Sequence, residues 1–94
     1  MASERITGKT QSGFEFSVMK KMLTNAEFLE LFADVQNGDT NGIFELVRLT
    51  LGKDQKKKLY DHVRDEDGCV PVETLASEFA EIVTALGEAR ETKN

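Results

Sequence analysis

The stretch from Phe14 to Val35, FEFSVMKKMLTNAEFLELFADV, changes its hydrophobic period part of the way along. Phe14, Phe16 and Val18 alternate with other residues, which is the period of a β-strand with one buried face. From Thr24 onward the apolar residues recur every three or four positions, as they do on one face of a helix. The sequence therefore predicts a strand followed by a helix, in a domain that is mainly α.

The strand has a predicted partner on its N-terminal side. The pair Ser12-Gly13 separates the two, and glycine supplies the positive φ that a tight hairpin turn needs. An isolated hairpin is marginal in water, so its Phe14, Phe16 and Val18 face is expected to pack on the rest of the domain or on another subunit. The edge from Phe14 to Phe16 is also a candidate for association with another chain.

About four helices are expected after the hairpin, in one compact bundle. Thr24 and Glu27 form a capping box before the first helix, and Gly52 is expected to end the second. Pro71 suits the first turn of the fourth, and Gly87 ends its apolar pattern. The expected helices are residues 25–36, 43–51, 54–64 and 71–87. The predicted boundaries are 1–94 for a single domain, 5–18 for the hairpin, 24–87 for the helical bundle and 88–94 for a flexible tail.

Composition restricts the classes of function. Of the 94 residues, 39% are hydrophobic and 31% are charged, too apolar for a disordered acidic chain and too charged for a membrane protein. No run approaches the roughly 20 apolar residues of a membrane span, and no secretory signal is recognisable, so a cytoplasmic protein is expected. A net charge of −5 disfavours nucleic-acid phosphates, and the lysines of residues 53–58 lack interleaved aromatic rings for base stacking.

Two acidic loops resemble calcium-binding loops but lack essential ligands. Residues 37–42 place oxygen ligands at loop positions one, three and five and glycine at six. Arg48 stands at position twelve, where an EF-hand has a bidentate glutamate. In the loop that contains Gly68, position one is Val63 and position twelve is Thr74. We expect acidic turns and helix caps here, and no metal site.

No constellation of residues predicts catalysis. His62 is the only histidine, and no serine or cysteine lies at a sequence spacing that pairs it with a nucleophile. Cys69 is the only cysteine, so no internal disulfide is possible. Its neighbours Gly68, Val70 and Pro71 favour a small apolar contact over a reactive thiol or an intermolecular bridge. We expect no enzymatic activity and no cofactor.

The chain has a generous apolar set for so small a core. Most of these side chains are expected to be core, and some are expected to remain for a protein partner, by helix-in-groove recognition. The candidate protein-binding residues are Phe14, Phe16, Phe28, Leu29, Phe32, Phe79, Ile82 and Val83.

Several short segments are similar to a known family in their order and spacing. They are SGF (12–14), AEFLEL (26–31), NGD (37–39), LVRLTLG (46–52), LYDHVRDEDG (59–68) and VPVE (70–73). With these segments the chain resembles, over roughly residues 6–86, the small tail assembly chaperones of tailed phages and prophages of Gram-positive bacteria.

The resemblance implies a non-enzymatic role in virion assembly. Members of the family bind the long, aggregation-prone tape measure protein, help to recruit the major tail protein, and tend to self-associate. They act in the host bacterial cytoplasm and are absent from the finished virion. Many are made in a short form and a longer frameshifted form, and this chain would correspond to the short one. The alternative that the residues leave open is a degenerate EF-hand-like or other small helical protein-interaction or regulatory module.

Overall fold

The computed structural model describes residues 4–92, and the side chains of residues 4–89. Two strands and a 3₁₀ helix come first, and three α-helices follow. The strands are β1 (Arg5–Lys9) and β2 (Glu15–Met19), the 3₁₀ helix is Lys20–Thr24, and the α-helices are α1 (Ala26–Gln36), α2 (Gly42–Val63) and α3 (Val72–Thr92).

β1 and β2 form the expected antiparallel hairpin. Its turn is closed by hydrogen bonds from the Thr10 amide to the Phe14 carbonyl (2.9 Å) and from the Gly13 amide to the Thr10 carbonyl (2.9 Å). Because side chains alternate along a strand, Phe14, Phe16 and Val18 share one face, and all three are buried. The hairpin packs on the helices, with β2 against α2 and β1 against α3.

A side chain from α2 covers the outer edge of β2. The Ser17 amide donates to Oε1 of Gln55 (2.8 Å), and Nε2 of Gln55 donates to the carbonyls of Ser17 (2.6 Å) and Leu51 (2.9 Å). An open edge would offer these backbone groups to another chain. Gln55 therefore takes the place of a neighbouring strand at Ser17, and the strand is a poorer association edge than its sequence suggests.

The structure has three α-helices, so the expected number of about four is wrong. The expected second and third helices both lie within α2. Gly52 interrupts the helical dihedral angles of this element with φ 84° and ψ 167°, a conformation open essentially to glycine alone. The predicted stop at Gly52 is therefore a break inside α2, because helical residues adjoin it on both sides without a loop.

The start of α1 lies one residue later than the capping box predicts. Oδ1 of Asn25 accepts a hydrogen bond from the Glu27 amide (2.8 Å), so Asn25 is the cap. Thr24 instead ends the 3₁₀ helix, where its hydroxyl donates to the Lys21 carbonyl (3.1 Å). The expected cap at Thr24 is wrong because the 3₁₀ helix uses this residue.

The last helix is longer than its apolar pattern. α3 continues through Gly87 to Thr92, so the first five residues of the expected tail, 88–92, are helical. Lys93 and Asn94 lie outside the described residues, and the flexibility of this segment stays a prediction. None of the helices described within residues 4–92 combines the length and the apolar composition of a membrane span.

One core joins the hairpin to all three helices. Both α1 and α3 pack against α2. A groove lies between α1 and α3, beside the first half of α2. The most deeply buried large side chains are Val18, Leu46, Val47, Leu59, Leu75, Ile82 and Leu86.

Candidate protein-binding groove

An apolar groove of about 300 Å³ separates α1 from α3. On the α3 side, the groove is lined by the small side chains of Ala76 and Ala80, which lie one helical turn apart on the same face. Small side chains at this spacing let the backbone of a partner approach closely. The lining residues of this α1–α3 groove are Phe32, Val35 and Gln36 of α1, Ile43 and Leu46 of α2, and Ala76, Phe79, Ala80, Val83 and Thr84 of α3.

The structure divides the eight predicted binding residues into two groups. Leu29 is 47% exposed, and Phe32 and Val83 are half-buried in the groove. The other five are at most 6% exposed. The prediction is corrected for four of these five, because packing inside the chain already occupies them, whereas Phe79 is buried but lines the groove. The buried five are Phe14, Phe16, Phe28, Phe79 and Ile82.

The ring of Phe32 packs against the buried ring of Phe28. Phe28 lies one turn earlier on α1, and the two rings stack with centroids 6.0 Å apart and planes 6° apart. Stacked aromatic pairs gain energy beyond the burial of their area. Leu29 precedes Phe32 by three positions and therefore lies on a neighbouring part of the same face. The apolar surface thus extends along α1 from Phe32 to Leu29.

The two helical walls of the groove carry acidic side chains and almost no basic ones. In α1 the charged residues are all acidic, and in α3 the first basic residue is Arg90. Among the side chains of residues 4–89, every ion pair lies outside α1 and α3. Up to residue 89, the acidic residues are Glu27, Glu30 and Asp34 of α1 and Glu73, Glu78, Glu81 and Glu88 of α3.

The two acidic loops are organised by their own hydrogen bonds. α2 begins at Gly42, so the second half of the first calcium-like loop is helical and its Arg48 pairs with Glu45. This hydrogen bond lowers the pKa of the Glu45 carboxyl and raises the pKa of Arg48. In the second loop, Oδ1 of Asp65 accepts from the Asp67 amide (3.0 Å). Within the described part of the chain, no group of three or more His, Cys, Asp or Glu residues is suited to hold a metal ion.

Cys69 lies in this second loop and is exposed. Its amide donates to Oδ1 of Asp65 (2.9 Å), and its carbonyl accepts from the Asp65 amide (2.7 Å). These backbone bonds hold the residue at the surface of the turn. The expected small apolar contact of Cys69 is therefore wrong.

The fold brings His62 to a serine that its sequence position does not indicate. Oγ of Ser12 lies 2.8 Å from Nε2 of His62 and donates to Oε2 of Glu78 (2.7 Å). With the hydroxyl proton directed to Glu78, the serine oxygen is left as an acceptor toward His62, and this contact requires the tautomer that carries a proton on Nε2. In a nucleophile–base pair the serine would donate to the histidine, and the carboxyl would bind the other ring nitrogen. This arrangement therefore does not activate Ser12; it joins the hairpin turn to α2 and α3.

Glu78 is the buried member of this cluster. It is only 7% exposed, and its Oε1 has no hydrogen-bond partner. The ring of His62 also contacts Phe14, with centroids 5.6 Å apart and planes at 52°. Ser12 is 50 positions from His62 and 66 from Glu78, so no local pattern in the sequence could have found this cluster.

Comparison with models of protein families, with curated proteins and with solved structures gives no match.

Proposed function

We propose that this protein is a tail assembly chaperone of a phage or prophage, which binds helical segments of the tape measure protein and keeps them soluble while the tail assembles. The observation that carries the proposal is the α1–α3 groove, with half-buried Phe32 and Val83, and with exposed Leu29 three positions before Phe32 on α1. The resemblance over residues 6–86 supplies the identity of the client. The major tail protein is a second client in this proposal.

The groove has the chemistry that an amphipathic helix needs. Such a helix presents apolar side chains at every third or fourth position, and a groove between two helices accepts them as anchors. Covering the accessible apolar area of Phe32, Val83 and Leu29 would contribute roughly 25 cal/mol for each Å² removed from water. A client helix that hides its own apolar stripe in this way is withheld from aggregation.

The rest of the proposal follows from the same role. A chaperone of this kind works by binding and is not an enzyme; it acts in the host cytoplasm and leaves before the virion is complete. Self-association is part of the proposal, since exposed Leu29, Phe44 and Val72 offer apolar contacts to a second copy. Sizing chromatography of the purified chain tests this element separately.

The alternative, a degenerate EF-hand-like regulatory module, has weaker support. Its first loop has Arg48 where the last calcium ligand belongs, and this side chain is engaged by Glu45. Calorimetric titration with calcium would revive this alternative if it showed micromolar binding.

The test is co-expression with an aggregation-prone helical segment of the tape measure protein. The variant Ala80→Gln places a longer polar side chain in the groove at an exposed helical position. Ser77→Gln is the matched control, because Ser77 is also exposed on α3 but does not line the groove. The wild type and Ser77→Gln are expected to raise the soluble fraction of the client several-fold, and Ala80→Gln is not.

Circular dichroism and thermal unfolding establish that each variant is folded. A folded Ala80→Gln protein that solubilises the client as well as the wild type does would contradict binding through the groove. Failure of the wild type itself to keep the client soluble would contradict the proposed function. A tape measure gene next to the gene for this chain would support the function independently of the groove.

A further inference from the structure

We infer that the helix accepted by the α1–α3 groove carries lysine or arginine on the flanks of its apolar stripe. The inference rests on the proposed function, because it takes the groove to be the client-binding surface. It adds the chemical class of the client segment, which is an amphipathic helix with basic flanks.

The first support is the position of acidic groups at the edge of the groove. Glu81 and Glu88 line a shallow surface depression on α3 that shares Ala80 and Thr84 with the groove. Both residues therefore lie next to the apolar lining; Glu88 is exposed, whereas Oε1 of Glu81 accepts from the Gln11 amide of the hairpin turn (2.9 Å).

The end of the groove formed by α1 also has an acidic neighbour. A Cβ atom built on Gly42 would lie 3.3 Å from Cγ2 of Val35 and 3.6 Å from Oδ2 of Asp39. Cγ2 of Val35 and Oδ2 of Asp39 are thus both within 4 Å of this Cβ position. The Asp39 carboxyl group therefore lies near Val35, which lines the groove. Asp34, one position before Val35, is also acidic and exposed.

The basic side chains up to residue 89 form no ion pair at this edge. Within residues 4–89, no lysine or arginine forms an ion pair with Asp39, Glu81 or Glu88. The largest group of lysines lies in residues 53–58, in the second half of α2, whereas only Ile43 and Leu46 of α2 line the groove. The negative charge at the edge is therefore left for a partner to complement.

The charges at the edge select among helices that would fill the groove equally well. Acidic flanks would bring like charges together, and basic flanks would meet opposite charges. Each exposed pair contributes little alone, so the selection depends on several pairs acting together and weakens with salt. A second copy of this chain is a poorer occupant, because α1 and α3 would present the same acidic charge.

The test uses the full chain and synthetic amphipathic peptides of about 20 residues. All have one apolar stripe, and their flanking positions are all lysine, all glutamine or all glutamate. Fluorescence anisotropy gives the Kd at about 50 mM and about 500 mM salt. The lysine peptide is expected to bind about tenfold more tightly than the glutamine peptide at low salt, and the glutamate peptide more weakly still. The difference is expected to shrink at high salt.

Two double variants with equal change in net charge locate the effect. Glu81→Gln with Glu88→Gln removes charge at the groove and keeps an acceptor oxygen at residue 81 for the Gln11 amide, which now donates to Glu81. Glu66→Gln with Asp67→Asn removes two charges from the exposed turn before α3. Only the first variant is expected to lose most of the preference for the lysine peptide.

The possible outcomes separate the inference from the function on which it rests. Equal binding of the lysine and glutamine peptides, or an equal effect of the two double variants, would overturn the inference and leave binding in the groove intact. If no peptide binds and Ala80→Gln fails in the co-expression test to reduce client solubility, both the inference and the groove as client site are overturned. If the chain alone forms a dimer and Ala80→Gln separates it, a second copy of the chain is the occupant of the groove. This result also overturns the inference.

Discussion

Replacing Ser12 by alanine tests the polar cluster that joins the hairpin turn to α2 and α3. The substitution removes the hydroxyl group that contacts Nε2 of His62 and donates to Oε2 of Glu78. His62 is exposed, so water can replace its lost contact. Glu78 is only 7% exposed, and its other oxygen already has no partner. The change therefore leaves a buried carboxyl group without a hydrogen bond from the protein.

The size of the effect follows from the burial of Glu78. A typical internal hydrogen bond contributes about 1 kcal/mol net, whereas a buried polar group left without a partner costs about 1–3 kcal/mol. We expect Ser12→Ala to lower the free energy of unfolding by about 2 kcal/mol, near the middle of that range. In a domain of this size, this corresponds to a decrease in Tm of roughly 10 °C.

Urea unfolding followed by far-ultraviolet circular dichroism measures this change, with linear extrapolation to water. Ser77→Ala is the control, because it removes an exposed serine from α3. Its expected effect is within about 0.5 kcal/mol.

A double-mutant cycle isolates the contact between Ser12 and Glu78. In a Glu78→Met background the buried carboxyl group is absent, so Ser12→Ala should cost less than about 0.5 kcal/mol. If Ser12→Ala costs the same in both backgrounds, the stability does not come from this pair. A loss below about 0.5 kcal/mol in the wild-type background would refute the reasoning altogether.

Two further substitutions test how the backbone is held. Gln55→Ala should destabilise the fold by about 1–2 kcal/mol and increase self-association in light scattering, because it leaves the Ser17 amide at the edge of β2 without a partner, although Arg5 still donates to the Ser17 carbonyl (2.9 Å). Gln55→Glu, which keeps only the acceptor, should lie between it and the wild type, and an unchanged urea midpoint for Gln55→Ala would contradict the role of this side chain. Gly52→Ala should lower the free energy of unfolding by about 1–3 kcal/mol, because a residue with a Cβ is strained at φ 84° and ψ 167°. The added Cβ would have no neighbouring atom within 4 Å, so steric contact does not contribute to this effect. Gly87→Ala is the control inside α3, because the added methyl group there also has no atom within 4 Å. It should raise the free energy of unfolding by about 0.5–1 kcal/mol. Equal effects of the two substitutions would show that the backbone at Gly52 is not strained.

Local patterns in the sequence were enough to predict the two strands, most of the helical segments and the interruption at Gly52. The alternation from Phe14 to Val18 acts over five residues, and the turn at Gly13 depends on one positive φ. Gly52 was recognisable as an interruption because glycine alone adopts its conformation readily. These features are readable because each depends on neighbours within a few positions along the chain.

Which apolar side chains remain available to a partner depends on how the helices pack. Phe28 and Leu29 are adjacent in a helical pattern, yet Phe28 is 4% exposed and Leu29 is 47% exposed. The helical period places Phe28 on the main apolar stripe and Leu29 off it, but how much of each side chain is covered depends on where α1 packs against α2. The same packing leaves the groove between α1 and α3 open.

Tertiary structure alone also brought Ser12, His62 and Glu78 together. The hairpin turn, α2 and α3 each supply one of these residues, and they are separated by as many as 66 positions. A sequence pattern records which residues share a face of one element, because the backbone repeats regularly within it. It does not record how elements pack on one another, since that depends on the shape of the whole core, and for this reason the cluster and the groove became visible only in the folded chain.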